Sequence, residues 1–238
     1  MWCGRLAHES CRRSAARPRR IEGSTRINGL GDRRFSPGPI CGTPPPGCYG
    51  CDVSALTQDI ITSRLRLWLP GSLEASAVLR YFEQNRDHLE PWEPVRPTDF
   101  YTLGFWQKRL VENRQDAELG RSLRYFLQLV GDAPPAVVGA VNFTNVIRGA
   151  FCACHLGYGL ARAEQGQGLM REALTAALPE VAARLSLHRV MANYQPQNER
   201  SGRLLEQLGF VREGYAKDYL FIDGSWRDHV LTARVFPI

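Results

Sequence analysis

The chain has 238 residues, 44% of them hydrophobic and 23% charged, with a formal net charge of +6. That length accommodates one large domain, or one domain and a tail, with ample apolar material for a buried core. No apolar run reaches the roughly 20 residues of a membrane-spanning helix, and the N-terminus has no apolar segment of the kind a secretory signal carries.

Residues 1–58 carry nine arginines against four acids, so most of the positive charge belongs to this leader. The rest is nearly neutral, which argues against a nucleic-acid surface; no specific DNA partner is expected. Five of the seven cysteines (Cys3, Cys11, Cys41, Cys48 and Cys51) also lie in the leader. Cys48-Tyr-Gly-Cys51 has the spacing of half a zinc knuckle, but a second pair is missing, so no metal is expected. Pieces such as SPGPICGTPPPGC have no sustained period and too little apolar surface to offset chain entropy. Residues 1–58 are therefore expected to be disordered, with a folded domain over 59–238. The leader's Arg and Ser content faintly resembles a transit peptide, but the location expected is cytoplasmic.

From Ile60 to Leu69 the chain alternates through Leu65, Leu67 and Leu69, which predicts a strand. Ser72 can cap a helix carrying Leu73, Ala77, Leu79 and Tyr81. His88 to Val95, HLEPWEPV, is punctuated by two prolines and predicts a loop. A second helix is expected over Phe100 to Glu118, then strands over Ser122 to Val130 and Ala136 to Phe143, joined by the turn GDAPP. Phe151 to Ala161 reads as a third antiparallel run, with Cys152 and Cys154 packed and His155 on the opposite face.

Gln165-Gly166-Gln167-Gly168 follows, opening a long helix with Leu174, Leu178, Val181 and Leu185 on one stripe; Pro179 should kink it. His188 to Tyr194 predicts a strand. Asn198 then caps a short helix bearing Leu204, Leu205 and Leu208, ended by Gly209. The tail YLFIDGSWRDHVLTARV predicts a hairpin turning at Asp223-Gly224. The order β-α-α-β-β-β-α-β-α-β-β is a mixed α/β domain rather than a doubly wound one.

Two glycines at the start of a helix cost entropy unless the geometry returns something. Unpaired amides at a helix N-terminus, aided by the dipole, suit an anion, and Gly166 and Gly168 let the backbone approach a pyrophosphate. The same glycines also fit a plain left-handed turn. A third glycine near Arg171 and a parallel βαβ unit are missing, so NAD is disfavoured. Asn198 and Ser201 lie one turn apart on the short helix, as a simple cap or as polar groups beside a ligand.

Gln165-Gly166-Gln167-Gly168, the spaced Asn198 and the closing Leu208-Gly209-Phe210 together resemble the GNAT superfamily of acetyl-CoA-dependent acetyltransferases. Further blocks (HLEPWEPV, VNFTNVIRGAF, MANYQPQNERSG, GFVREGYAKDYL and IDGSWRDHVLTA) resemble those members that acetylate the N-terminal alanine of a small-subunit ribosomal protein. The likeness spans about Ile60 to Ala233. It implies a splayed, mostly antiparallel mixed sheet flanked by helices, with acetyl-CoA as co-substrate and no metal. It implies that Gln165, Gly166, Gln167, Gly168, Leu169 and Met170 hold the pyrophosphate through their amides. Pantetheine would run along Leu156, Tyr158 and Leu160 like an added strand, with Asn198 bonding it near the thioester. A backbone N–H of the third antiparallel strand would stabilise the oxyanion. Acetyl transfer would be direct attack by the amine within a ternary complex.

Leu205 takes the place of the tyrosine that often protonates the departing thiolate, which makes Ser201 the candidate acid. Met170 replaces a small residue in the loop. An α-amine, with a pKa near ~8, needs only a weak base; Glu93 is the candidate, with Glu213, Asp218 and Asp228 behind it. Trp92 can wall the acceptor pocket or enter the core, and Arg148 can face substrate or solvent. The resemblance implies as partners a ribosomal-protein N-terminus and the assembling ribosome. The rival expectations are a small-molecule acetyltransferase (aminoglycoside or polyamine) and a CoA-binding regulator or ribosome-assembly factor.

Overall fold

The structure, a computed structural model, describes residues 56–131 and 136–237. The expectations for residues 1–55 and most of the GDAPP turn lie outside that range. Leu56 is already fully buried, so the packed chain extends slightly upstream of residue 59.

The chain runs β1 (Ile60–Ile61), β2 (Leu65–Trp68), α1 (Ala75–Gln84), α2 (Arg86–Leu89), α3 (Leu103–Glu118), β3 (Leu123–Leu129), β4 (Gly139–Ile147), β5 (Ala153–Leu160), α4 (Leu169–Leu185), β6 (Arg189–Met191), α5 (Glu199–Gln207), β7 (Val211–Ile222) and β8 (Ser225–Val235). One eight-stranded sheet has the order β1-β2-β3-β4-β5-β6-β8-β7, and every pair is antiparallel except β5 with β6. This is the splayed mixed sheet expected from the sequence.

Period-two alternation supplies both faces of the sheet. Leu65, Leu67, Leu123, Tyr125, Leu127, Val141 and Phe143 point to a core completed by Leu174, Leu178, Val181 and Leu185 of α4. Their strand neighbours Trp68, Phe126 and Ala140 face the opposite core, with α1 and α3. There Phe82 stacks on Trp106 with ring centroids 4.7 Å apart, and Phe100 meets both edge-on. Such rings bury large areas while retaining specific geometry.

Several local expectations are corrected. The strand expected over residues 60–69 is a hairpin, because Thr62 turns the chain back through bonds with Leu65. Ser72 lies inside a 3-10 turn capped by Gly71, whose amide donates to the Glu74 carboxylate at 2.7 Å. The HLEPWEPV segment is partly helical: Pro91 sits in the first turn of a short 3-10 helix, where its missing N–H does no harm. The second helix starts only after Thr102, whose hydroxyl accepts from the Phe105 amide. The strand expected over 136–143 is β4, longer and shifted. Cys152 precedes β5 at positive φ and Cys154 lies within it, and both are buried as expected. Helix α4 continues across Pro179. At the last hairpin Asp223 and Gly224 both have positive φ, as a primed turn needs. Among the described residues no helix is long and apolar enough to cross a membrane.

Glu172, in the first turn of α4, ties that helix to the β1–β2 turn. Its carboxylate accepts from the Thr62 hydroxyl at 2.6 Å, the Ser63 hydroxyl at 3.0 Å, the Arg64 amide at 3.0 Å and Arg64 Nε at 2.6 Å. The Thr62 bond, followed by those from Arg64 and Ser63, outweighs desolvation and holds the carboxyl at about 2, well below its ordinary value of 4.5. A folded-state value below the unfolded one stabilises above the unfolded value, and that contribution is lost as pH falls through the folded one. Glu172→Gln should lower the melting temperature by about 3–5 °C at pH 7. In paired thermal melts the gap between the two proteins should close as pH drops from 4.5 towards 2.

Candidate active site

Strand β5 pairs with β6 only through Ala153, Cys154 and His155. Beyond His155 the strands part, since Ala192 and Tyr194 bond Thr232 and Val230 of β8 instead. Leu156 to Leu160 keep β4 on one side and have no strand on the other. The gap is a cleft of about 1130 Å³, large enough for a substantial organic ligand.

The glycine loop closes one end of this cleft. Gly166 and Gly168 have φ of 82° and 77°, a conformation costly for any residue with a Cβ. Among the described residues no acceptor is bonded by the amides of Gly168, Leu169, Met170 and Arg171; the next amide, of Glu172, returns to Gly168 O at 3.0 Å. These are the four orphan donors of a helix N-terminus, here opening on the cleft. No side chain caps them.

Side chains lock the loop from behind. Arg64 Nη1 donates to Gln167 O at 3.1 Å while its other nitrogens hold Glu172. Gln165 bridges His88 and Arg200. Burial, reinforced by Arg162 and Arg200, pushes His88 down and keeps it neutral despite a backbone bond at Leu160. Leu169 and Met170 turn their side chains into the core, so Met170 is accommodated without blocking the amides.

Helix α5 forms the facing wall. Asn198 caps it, Oδ1 accepting from the Ser201 amide at 3.1 Å, which leaves the side-chain NH2 of Asn198 at the cleft. Ser201 Oγ lies 2.6 Å from the Tyr158 hydroxyl, joining α5 to β5. Tyr158 is pushed up to about 12, chiefly by burial, so its phenol stays protonated. Leu205 is buried in the core and has no polar function.

At the other end Trp92, Glu93 and Pro94 meet Leu220 and Ile222 of the last hairpin. Trp92 is 40% exposed, so it walls the cleft and stays out of the core. Glu93 is at the cleft too, but Oε2 accepts from Arg96 Nε at 3.1 Å and Nη2 at 2.7 Å. Arg96 in turn lies over the Phe82, Phe100 and Tyr101 rings. The other carboxylates considered lie elsewhere: Glu213 pairs with Arg189, and Asp228 accepts from Tyr215 and the Asp218 amide. Arg148 is a solvent-exposed residue away from the cleft, and its guanidinium donates to Leu185 O at the end of α4 and to Gly120 O just after α3.

The reading of the sequence overlooked His229. It lines the cleft while only 4% exposed, and the one signal for it in the sequence was a histidine inside the apolar half of the last strand, HVLTA. Asn193 was overlooked as well; it donates to the Tyr219 hydroxyl at 3.1 Å and accepts from the Thr232 amide at 3.2 Å.

The strand edge left open by β6 thus lies beside a helix tip whose four amides have no acceptor among the described residues. Residues 64–211 match the acetyltransferase (GNAT) domain. The chain belongs to the GNAT acetyltransferase family and is an acetyl-CoA-dependent N-acetyltransferase. It is 46% identical over 178 residues to the ribosomal protein uS5-alanine N-acetyltransferase of Escherichia coli K12, covering 75% of this chain and 91% of that one. The crystal structure of ribosomal-protein-S5-alanine acetyltransferase from Vibrio fischeri aligns with a TM-score of 0.70 at 36% identity, over 75% of this chain and 96% of that one. Mycobacterium smegmatis RimJ in complex with CoA-disulfide aligns at 0.69 and 30% identity, over 76% and 88%.

Proposed function

We propose that this enzyme moves an acetyl group from acetyl-CoA to the α-amine of a ribosomal protein, with an N-terminal alanine as acceptor. The observation that carries the reading is the row of four unpaired amides at the tip of α4, opening on the same cleft as the unpaired edge of β5. Likeness to enzymes named for uS5-alanine acetylation supports the acceptor. Such a substrate implies action in the cytoplasm, on free or ribosome-bound protein.

In this reading Gln165 to Met170 hold the pyrophosphate, and pantetheine lies along Leu156, Gly157, Tyr158 and Leu160, bonding the backbone as a missing strand would. The NH2 of Asn198 donates to the pantetheine. A backbone N–H of β5 receives the negative charge as the amine attacks the thioester carbon directly, in a ternary complex. The carbon–sulfur bond then breaks and Ser201 gives the thiolate a proton, drawing on the Tyr158 hydroxyl 2.6 Å behind it. Both hydroxyls are neutral donors at working pH.

A polyamine acceptor fits less well. Such a polycation asks for several free acids, and the acids lining the cleft are Glu93 and Glu199, held by Arg96 and Arg203.

Gly168→Glu puts a carboxylate and a strained backbone at the phosphate amides, and calorimetry should read a loss of acetyl-CoA affinity of about 100-fold or more. Ser201→Ala should leave acetyl-CoA binding intact but slow turnover by about 10–100-fold. For the acceptor, intact mass spectrometry of ribosomal proteins with and without the gene should show one N-terminus lighter by an acetyl group in its absence. Unchanged masses, with transfer to an aminoglycoside or polyamine in vitro, would move the assignment to a small-molecule enzyme.

A further inference from the structure

The reaction requires a proton to leave the acceptor ammonium, and the carboxylates at hand are engaged. Glu93 is held by two nitrogens of Arg96, and Glu199 by Arg203 at 3.1 Å. Of the two histidines lining the cleft, His88 meets the Gln165 side chain at Nε2 and has a backbone bond at Leu160, at the phosphate end. His229 remains.

Its ring is fixed by its surroundings. Nδ1 lies 3.0 Å from Arg227 O, and a carbonyl can only accept, so Nδ1 carries the hydrogen. Nε2 therefore keeps its lone pair, and among the described residues no donor is bonded to it. The Tyr219 ring lies against the imidazole with centroids 5.4 Å apart, and Asn193 anchors the Tyr219 hydroxyl. The next residue, Val230, bonds Tyr194, whose ring packs at Gly202 beside Ser201. His229 thus stands on the wall that also carries the proposed acid, near the mouth formed by Leu220 and Ile222.

We propose that His229 Nε2 is the general base that takes the proton from the acceptor's α-ammonium; this rests on the amine-acylation reading above. One ammonium proton passes to Nε2 and on to solvent, freeing the nitrogen lone pair. The N–C bond forms, the C–S bond breaks, and a second proton from the nitrogen replaces the one Ser201 delivers to sulfur. The products are the acetylamide and CoA thiol, with one proton released.

The charged groups around the ring are few. Asp228 is adjacent but engaged with Tyr215 and the Asp218 amide, and Lys217 offsets part of its charge. From β7 the neighbour is Tyr219, and Arg227 shares the strand. Burial, the largest influence, pulls His229 below 6.5 against the opposing Arg227 carbonyl and Asp228, which favours the neutral base.

The test uses the full chain with acetyl-CoA and a peptide bearing a ribosomal-protein N-terminal alanine. His229→Gln and His229→Ala should lower kcat by about 10²–10⁴-fold while acetyl-CoA affinity by calorimetry stays unchanged. Wild-type kcat should fall on an acid limb below pH 6.5, absent in both variants, and added imidazole should restore part of the His229→Ala rate. Variants with wild-type kcat and the same acid limb would overturn the role of His229 alone. Wild-type protein that acetylates no N-terminal peptide would overturn the acceptor reading, and this role with it. Should either variant lose acetyl-CoA binding, nitrogen NMR of the wild-type imidazole decides: a hydrogen on Nδ1 and titration below 6.5 support the role, and a hydrogen on Nε2 refutes it.

Discussion

The site depends on one parting of strands. After three residues of parallel pairing, β5 and β6 separate because β6 is held by β8, leaving the amides and carbonyls on one edge of Leu156 to Leu160 without a strand partner inside the sheet. Backbone polar groups in such a place must be met by water or a ligand. An extended ligand with its own amides, such as pantetheine, meets both requirements. The gap also aims the tip of α4 and the face of α5 at the same space, since each follows one of the two diverging strands.

The cleft is held open by anchors of different character. Its end at the glycine loop is fixed electrostatically: Glu172 gathers Thr62, Ser63 and Arg64, and Arg64 reaches on to Gln167 O. That arrangement pins the loop through carbonyls and side chains while the amides of the helix tip remain free. The opposite end, at Trp92 and Glu93, rests on aromatic packing. Phe82, Phe100 and Trp106 support Arg96, which in turn holds Glu93. A carboxylate held this way ties the loop after α2 to the aromatic core beneath it.

The departures from the superfamily pattern have local physical reasons. Leu205 belongs to the core, and the hydroxyl that α5 turns towards β5 one turn earlier is that of Ser201, met there by Tyr158. Met170 packs inward below the loop, and its backbone amide is still presented to the cleft.

Much of this was legible in one dimension. Alternation at Leu65 and Leu67, the stripe on α4, the cap at Asn198 and the turn at Asp223-Gly224 are local properties, set by side-chain period and backbone sterics. So was the tight turn at Gly166 and Gly168, where glycine admits the positive φ that the start of α4 requires. What sequence could not reveal depends on residues far apart meeting. The Thr62 turn within the expected first strand, the pairing of Glu93 with Arg96, the Arg148 bonds at the end of α4 and the carbonyl that fixes the His229 ring are decided by tertiary packing. A carboxylate's freedom or a histidine's tautomer depends on which donor or carbonyl the fold brings to it, and no local pattern carries that information.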